Sequence, residues 1–236
     1  MEAPLHGGKN LSGILREPER RIKMNRTKGK KLTVQWMTGT AMMAALTLVL
    51  ANTPLGLIRL PFLTATTLHI PVIISTLVLG MEAGLVTGLV FGVNSWISNL
   101  SGASFFAPFF INPLVSVLPR MVFPVLVYGI YSLLRRALAQ FDQRGLTAYI
   151  AASALGTALH TAMVMGMIYL LYRDRIADLL LSGAGVPEAI AMRGVGKGIA
   201  ALGAANGVPE MIVATVIAPV VSAALDKAFG RMKIRK

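Results

Sequence analysis

Residues 113–136 read PLVSVLPRMVFPVLVYGIYSLLRR, and this stretch decides the fold. From Pro113 to Leu134 the run is mostly apolar, carries Arg120 as its one charge, and stops at Arg135 and Arg136. A helix of about 20 such residues crosses the hydrocarbon core of a bilayer. The paired arginines mark the end that stays on the cytoplasmic side.

Working outward, stretches of the same kind occur near 33–53, 68–80, 82–99, 146–172 and 207–226. The expectation is an all-α membrane protein, a bundle of six transmembrane helices. The second and third stretches are short. They meet at Gly80-Met81-Glu82-Ala83-Gly84, where the glycines favour a tight turn and the carboxylate favours the headgroup region. Composition agrees, with 55% hydrophobic residues, 14% charged residues and a mean hydropathy of +0.66.

A net charge of +13 suggests nucleic acid in a soluble protein, but its distribution here is topological. Nine of the 23 Lys and Arg lie in residues 1–31, five in 227–236, and three at Arg135, Arg136 and Arg144. The opposite loops hold Arg59, Arg173, Arg175, Arg193 and Lys197. The positive-inside rule then places both termini in the cytoplasm and leaves no role for a nucleic acid partner. Residues 1–32 read as a basic, flexible cytoplasmic leader without the apolar run and cleavage site of a signal peptide, 33–230 as the membrane domain, and 231–236 as a basic cytoplasmic tail. Trp36 and Trp96 stand where interfacial anchors belong. The absence of cysteine removes disulfides and thiolate chemistry, and fits a multi-pass protein of a bacterial inner membrane.

Three outer connections remain, near 54–67, 98–112 and 173–205. Arg173 to Ala205 is too charged and glycine-rich for a seventh span, although Val186–Leu202 is apolar enough for a helix at the interface. Long loops of this kind commonly carry function.

Several chemistries are missing. Gly196-Lys197-Gly198 lacks the Ser or Thr that follows the lysine of a phosphate loop, and Ala191 stands where its first glycine belongs. Ser153 and His160 lie seven residues apart with no GxSxG sequence or paired carboxylate, a poor basis for a hydrolase. His6, His69 and His160 are dispersed, so neither a metal nor another cofactor is expected. The chain reads as a binding or passage protein rather than an enzyme.

Ionisable groups within spans then become the candidates, because lipid tolerates them only with a partner, water or a ligand. Arg120 can grip a carboxylate or phosphate, snorkel to outer headgroups, or pair with Glu210. Asn206 and Glu210, four apart at the expected start of the sixth span, share a helix face. They either line a pocket or serve as cap and dipole partner, with Pro209 early enough in the helix to be tolerated. His69, in Ala65-Thr66-Thr67-Leu68-His69-Ile70-Pro71, offers hydrogen bonds to a polar solute, while the threonines can equally cap the helix. Asn94 is a candidate contact beside the 98–112 connection; Asn112, Ser95, Ser98 and Asn99 read mostly as loop formers, and His160 as an interhelical hydrogen bond. Ala41 and Ala45 make a smooth stripe for close helix approach, within the bundle or outside it.

These words in this order resemble the substrate-binding S components of energy-coupling factor (ECF) vitamin transporters: Ala41-xxx-Ala45, Thr53-Pro54-Leu55-Gly56, Ala65 to Ile73, Leu79-Gly80 to Gly84, Phe91-Gly92, Pro119-Arg120 and Asn206-Gly207-Val208-Pro209-Glu210. The resemblance covers about residues 33–230. It implies a six-helix module, both termini cytoplasmic, that binds a micronutrient near its outer side. Such a module associates with a coupling membrane subunit and two cytoplasmic ATPases, and topples in the bilayer to deliver its ligand. On this basis Ala41 and Ala45 would form the docking surface for the coupling subunit. The ATTLHIP entry to the second span resembles the pantothenate-like branch, whose carboxylate would suit Arg120; the long basic leader and large 173–205 loop depart from the family pattern. The rival readings are an S component for a different vitamin and an autonomous proton- or sodium-coupled carrier using Glu210 or Glu82.

Overall fold

The computed structural model describes residues 34–54, 56–59, 64–102, 107–138, 140, 145–181 and 194–231. The leader expected at 1–32 and residues 232–236 of the tail lie outside them. In chain order the elements are α1 (Val34–Ala51), β1 (Leu57–Arg59), β2 (Thr64–Thr66), α2 (His69–Leu79) and α3 (Met81–Asn99). The single-turn helices α4 (Ala107–Phe110) and α5 (Pro113–Ser116) follow, then α6 (Leu118–Ala137), α7 (Leu146–Leu181) and α8 (Val195–Arg231). The protein is a helical bundle in which Val34–Ala51, Pro113–Ala137, Leu146–Asp178 and Gly196–Ala228 are long and apolar enough to cross a membrane.

The two short expected spans coincide with α2 and α3. At 11 residues α2 is about 16 Å long, roughly half a bilayer core. Every residue from His69 to Leu77 is nevertheless buried, because α1, α3, α6 and α8 surround it. Protein rather than lipid is its solvent, so the length rule for spanning helices does not govern it. Gly80, at φ 99°, takes a backbone conformation that residues with a Cβ rarely adopt, and it turns α2 back onto α3. The reversal brings Gly84 against Thr76, each four residues from the turn.

Glycines at 84, 88 and 92 form a stripe along α3 on which α6 lies. A Cβ at Gly88 would fall 2.4 Å from the Arg120 carbonyl oxygen and 3.0 Å from Pro124 Cγ. Close approach of backbones through small residues is how membrane helices pack when lipid gives them no hydrophobic drive to associate. Two indoles tie the ends of this layer: Trp36 Nε1 donates to Leu79 O (3.1 Å) and Trp96 Nε1 to Ile111 O (2.9 Å). The tryptophans expected as interfacial anchors join α1 to α2 and α3 to the segment after α4.

The 173–205 connection differs from the expected loop. Helix α7 runs on to Leu181, with a break at Tyr172 (φ −133°, ψ 25°), and α8 already begins at Val195. Beyond the break in α7 Arg173, Asp174 and Arg175 are exposed, as is Lys197 in the first turn of α8. Charge and glycine argue against a helix in lipid but not against one in water that packs on protein. Ile176 and Ile199 do so, joining Phe109, Val115, Val164 and Ile168 in a second apolar cluster. Of the expected interfacial helix at Val186–Leu202, residues 186–193 lie outside the described residues.

Placing a side chain on the glycine stripe should separate α3 from α6. Gly88→Val is expected to destabilise the detergent-purified protein by about 1–3 kcal/mol, read as a lower unfolding temperature. Leu89→Ala, on the exposed face of the same helix, should leave it nearly unchanged.

Candidate functional site

Arg120 occupies the first turn of α6 and is 6% exposed. Asn112 caps α5 immediately before it, accepting from Leu114 N at 3.0 Å, and so fixes the turn that presents the Val115 carbonyl. Arg120 Nη1 donates to that carbonyl at 2.8 Å. The guanidinium carbon lies 5.4 Å from the Phe91 ring centre and 4.9 Å from that of Phe110. Two aromatic faces and one carbonyl thus hold the cation, and the Gly88/Gly92 stripe lets α3 come close enough to supply the first of those faces.

His69 is the first residue of α2 and is fully buried; His160, in α7, is 4% exposed. Their rings stack at 6.4 Å, and Phe123 lies 4.9 Å from His160 and 6.5 Å from His69, with Phe91 6.1 Å from His160. Leu68, before α2, is itself helical in backbone and makes no side-chain cap bond, and the Thr67 carbonyl accepts from Ile70 N at 3.1 Å. Thr66 has another task. Its backbone N–H donates to Glu210 Oε1 at 2.6 Å, fastening the β1–β2 hairpin to α8. Within the hairpin Leu57 pairs with Thr66 and Arg59 with Thr64.

Glu210 is 8% exposed. Glu210 and Arg120 act on each other electrostatically, but the hydrogen bonds of each go elsewhere, to Thr66 and Val115. Asn206 lies one turn before Glu210 on α8. Since α8 begins at Val195, Asn206 is not a helix cap, and Pro209 sits deep in the helix rather than near its start. Pro209 therefore leaves the carbonyl one turn back without its usual amide partner. Gly207 packs against Thr161, next to His160, which sets this part of α8 at the level of the histidines. Asn94 is half-buried on α3, and its Nδ2 donates to Ser98 Oγ at 3.4 Å on the same helix.

Both nitrogens of His160, Arg120 Nε and Asn206 Oδ1 are buried without a hydrogen-bond partner, and the buried nitrogens of His69 make no close bond although the backbone of Thr66 and of Glu210 lies within reach. Native interiors pair more than nine in ten such groups, so a concentration of unpaired ones marks a place built for something else. The set is chemically mixed. Arg120 Nε offers only a donor, Asn206 Oδ1 only an acceptor, and each neutral imidazole one of both. Such a set can take a molecule that offers both hydrogen-bond acceptors and donors.

Of the residues expected at a site, Arg120, His69 and Glu210 are linked by electrostatic and backbone contacts, Asn206 lies one turn before Glu210, and Asn94 bonds to Ser98 on its own helix. His160, expected as an interhelical hydrogen bond, instead has both nitrogens free. A lone histidine within an apolar span was itself a sequence signal for function. Phe91, Phe110 and Phe123 carried none, since aromatics in apolar runs are ordinary. Ser153, considered as a nucleophile, donates to Tyr149 O at 2.8 Å on its own helix.

The family model described as "ECF transporter, substrate-specific component" matches residues 35–222. The chain is also 27% identical over 179 residues to the pantothenic acid transporter PanT of Lactococcus lactis subsp. cremoris, a match that covers 69% of this chain and 78% of that one. The family match takes in every helix that contributes to the buried polar cluster. This chain belongs to the family of ECF transporter substrate-specific components.

Proposed function

We propose that the protein is the substrate-capture subunit of an ECF-type importer in a bacterial plasma membrane, that it binds a carboxylate-bearing vitamin, and that this vitamin is pantothenate. The observation that carries the reading is the set of buried, unpartnered donors and acceptors around Arg120, His69, His160 and Asn206. Pantothenate offers a carboxylate for the guanidinium, and an amide and two hydroxyls for the imidazoles and the Asn206 oxygen. The similarity to a pantothenic acid transporter points the same way. Glu210 holds the hairpin over the site through Thr66 and sets the field in which Arg120 sits. In this reading α1, α2, α3, α6, α7 and α8 are the six membrane helices, both termini are cytoplasmic, and the protein performs no chemistry of its own.

Transport then requires a coupling membrane subunit and two cytoplasmic ATPases. The surface offered to the coupling subunit is the outer face of α1. Ala41 and Ala45 are both exposed there, flanked by Met37 at 53%, Met42 at 64% and Val49 at 59%. Small residues amid larger apolar ones give a shallow groove in which a partner helix can lie close.

Mass spectrometry of small molecules that co-purify with the detergent-solubilised chain should detect pantothenate with the wild type. Arg120→Ala is expected to lose it, since removing one partner of a buried charge pair costs about 2–5 kcal/mol; an acidic ligand retained by this variant rules out the anion anchor. Replacing Ala41 and Ala45 together by Leu should spare ligand capture and weaken recovery of the coupling subunit and ATPases in pull-downs. Loss of capture in that double variant would instead place the alanines in the packing of the bundle.

A further inference from the structure

We propose that Phe110 is a positioning residue that fixes which edge of Arg120 faces the ligand, so that a carboxylate is gripped side-on through Nε–H and Nη2–H. The inference rests on the reading of Arg120 as anion anchor and deepens it. A guanidinium can hold two oxygens end-on, through its two terminal nitrogens, or side-on, through Nε and Nη2. Here Nη1 already donates to the Val115 carbonyl at 2.8 Å, so an end-on grip would have to share that nitrogen. Nε is buried and unpartnered, which leaves the side-on edge to the ligand.

A planar cation tied at one nitrogen can still swing about that bond. The Phe110 ring, 4.9 Å from the guanidinium carbon, opposes the swing because the cation is held to the ring's electron-rich face. Phe110 can act this way because its own backbone is fixed on both sides. Phe109, 1% exposed, is set in the second apolar cluster, with its ring 5.3 Å from that of Tyr172 at the break in α7. The Phe110 carbonyl accepts from Ser116 Oγ, and the next carbonyl, that of Ile111, accepts from Trp96 Nε1 at 2.9 Å. A four-residue helix that would be mobile alone thus becomes a rigid mount for one ring. The consequence is specificity: an anion with two coplanar oxygens meets two donors, whereas an alcohol at the same place meets one.

Calorimetric titration of the purified full chain with pantothenate and with its alcohol analogue, in which CH2OH replaces the carboxylate, reads this directly. Phe110→Leu is expected to reduce the preference for pantothenate about tenfold by weakening pantothenate alone, leaving the alcohol's affinity unchanged. Phe110→Tyr, which keeps the ring face, should restore the preference to within about twofold of wild type. Equal weakening of both ligands by Phe110→Leu would reduce the residue to a structural part and overturn the inference. So would an unchanged preference in Phe110→Leu when Arg120→Gln abolishes it, and that pattern leaves the anchor itself intact. An unchanged preference in Arg120→Gln would remove the anchor, and the positioning role with it.

Discussion

A guanidinium sealed inside a membrane bundle must be surrounded by groups that tolerate its charge, and much of this architecture serves that requirement at Arg120. Desolvating a charge costs several kcal/mol even after the protein relaxes around it. The chain offsets this with the Val115 carbonyl, the faces of Phe91 and Phe110, and the field of Glu210. Each of these depends on a local feature of sequence. Asn112 caps the turn that aims Val115, the glycine stripe of α3 admits Phe91, and the Thr66 amide holds the Glu210 carboxylate in place. The arrangement leaves Nε unsatisfied, so the surroundings stabilise the cation without using all of it.

The same logic of incomplete satisfaction extends to the histidines. His69 and His160 are held by aromatic contacts, which fix ring position without occupying ring nitrogens. A structural histidine in a membrane interior normally has a hydrogen-bond partner, since an unpaired buried polar group costs about 1–3 kcal/mol. Positions held by dispersion and ring geometry, with polar atoms free, are what a preorganised receptor needs. At the opposite end of the bundle the contacts are of the ordinary kind: Tyr149 donates to Asp226 at 2.5 Å across α7 and α8 and stacks on Tyr131 at 5.1 Å.

Much of the fold was legible in the sequence because lipid imposes a simple rule on composition. Runs of apolar residues at 33–53, 68–80, 82–99 and 113–134 fall within a few residues of α1, α2, α3 and α5–α6. The rule fails where lipid is not the solvent. Helix α8 begins about a dozen residues before the apolar run at 207, with Ile199 packed in the Phe109 cluster, so of the two alternatives for Asn206 the helix cap falls away. Arg120 and Glu210 stood out because charge in a span is rare. His160 was equally rare and was assigned too ordinary a role. The glycines at 84, 88 and 92 were visible at a spacing of four, yet their meaning required knowing that α6 lies across them. Nothing in the sequence could have placed Phe110 over Arg120, because that contact joins a single-turn helix to the start of α6 through tertiary packing alone.

In the proposed function a carboxylate ligand completes the unpaired groups around Arg120. Thermal unfolding of the purified chain, followed while pantothenate is titrated in, tests it most directly, because a ligand that binds only the folded state stabilises it by mass action, about 2.7 kcal/mol at a hundred times the dissociation constant. The account predicts a saturable rise in unfolding temperature. An unfolding temperature that stays fixed up to millimolar pantothenate would contradict it.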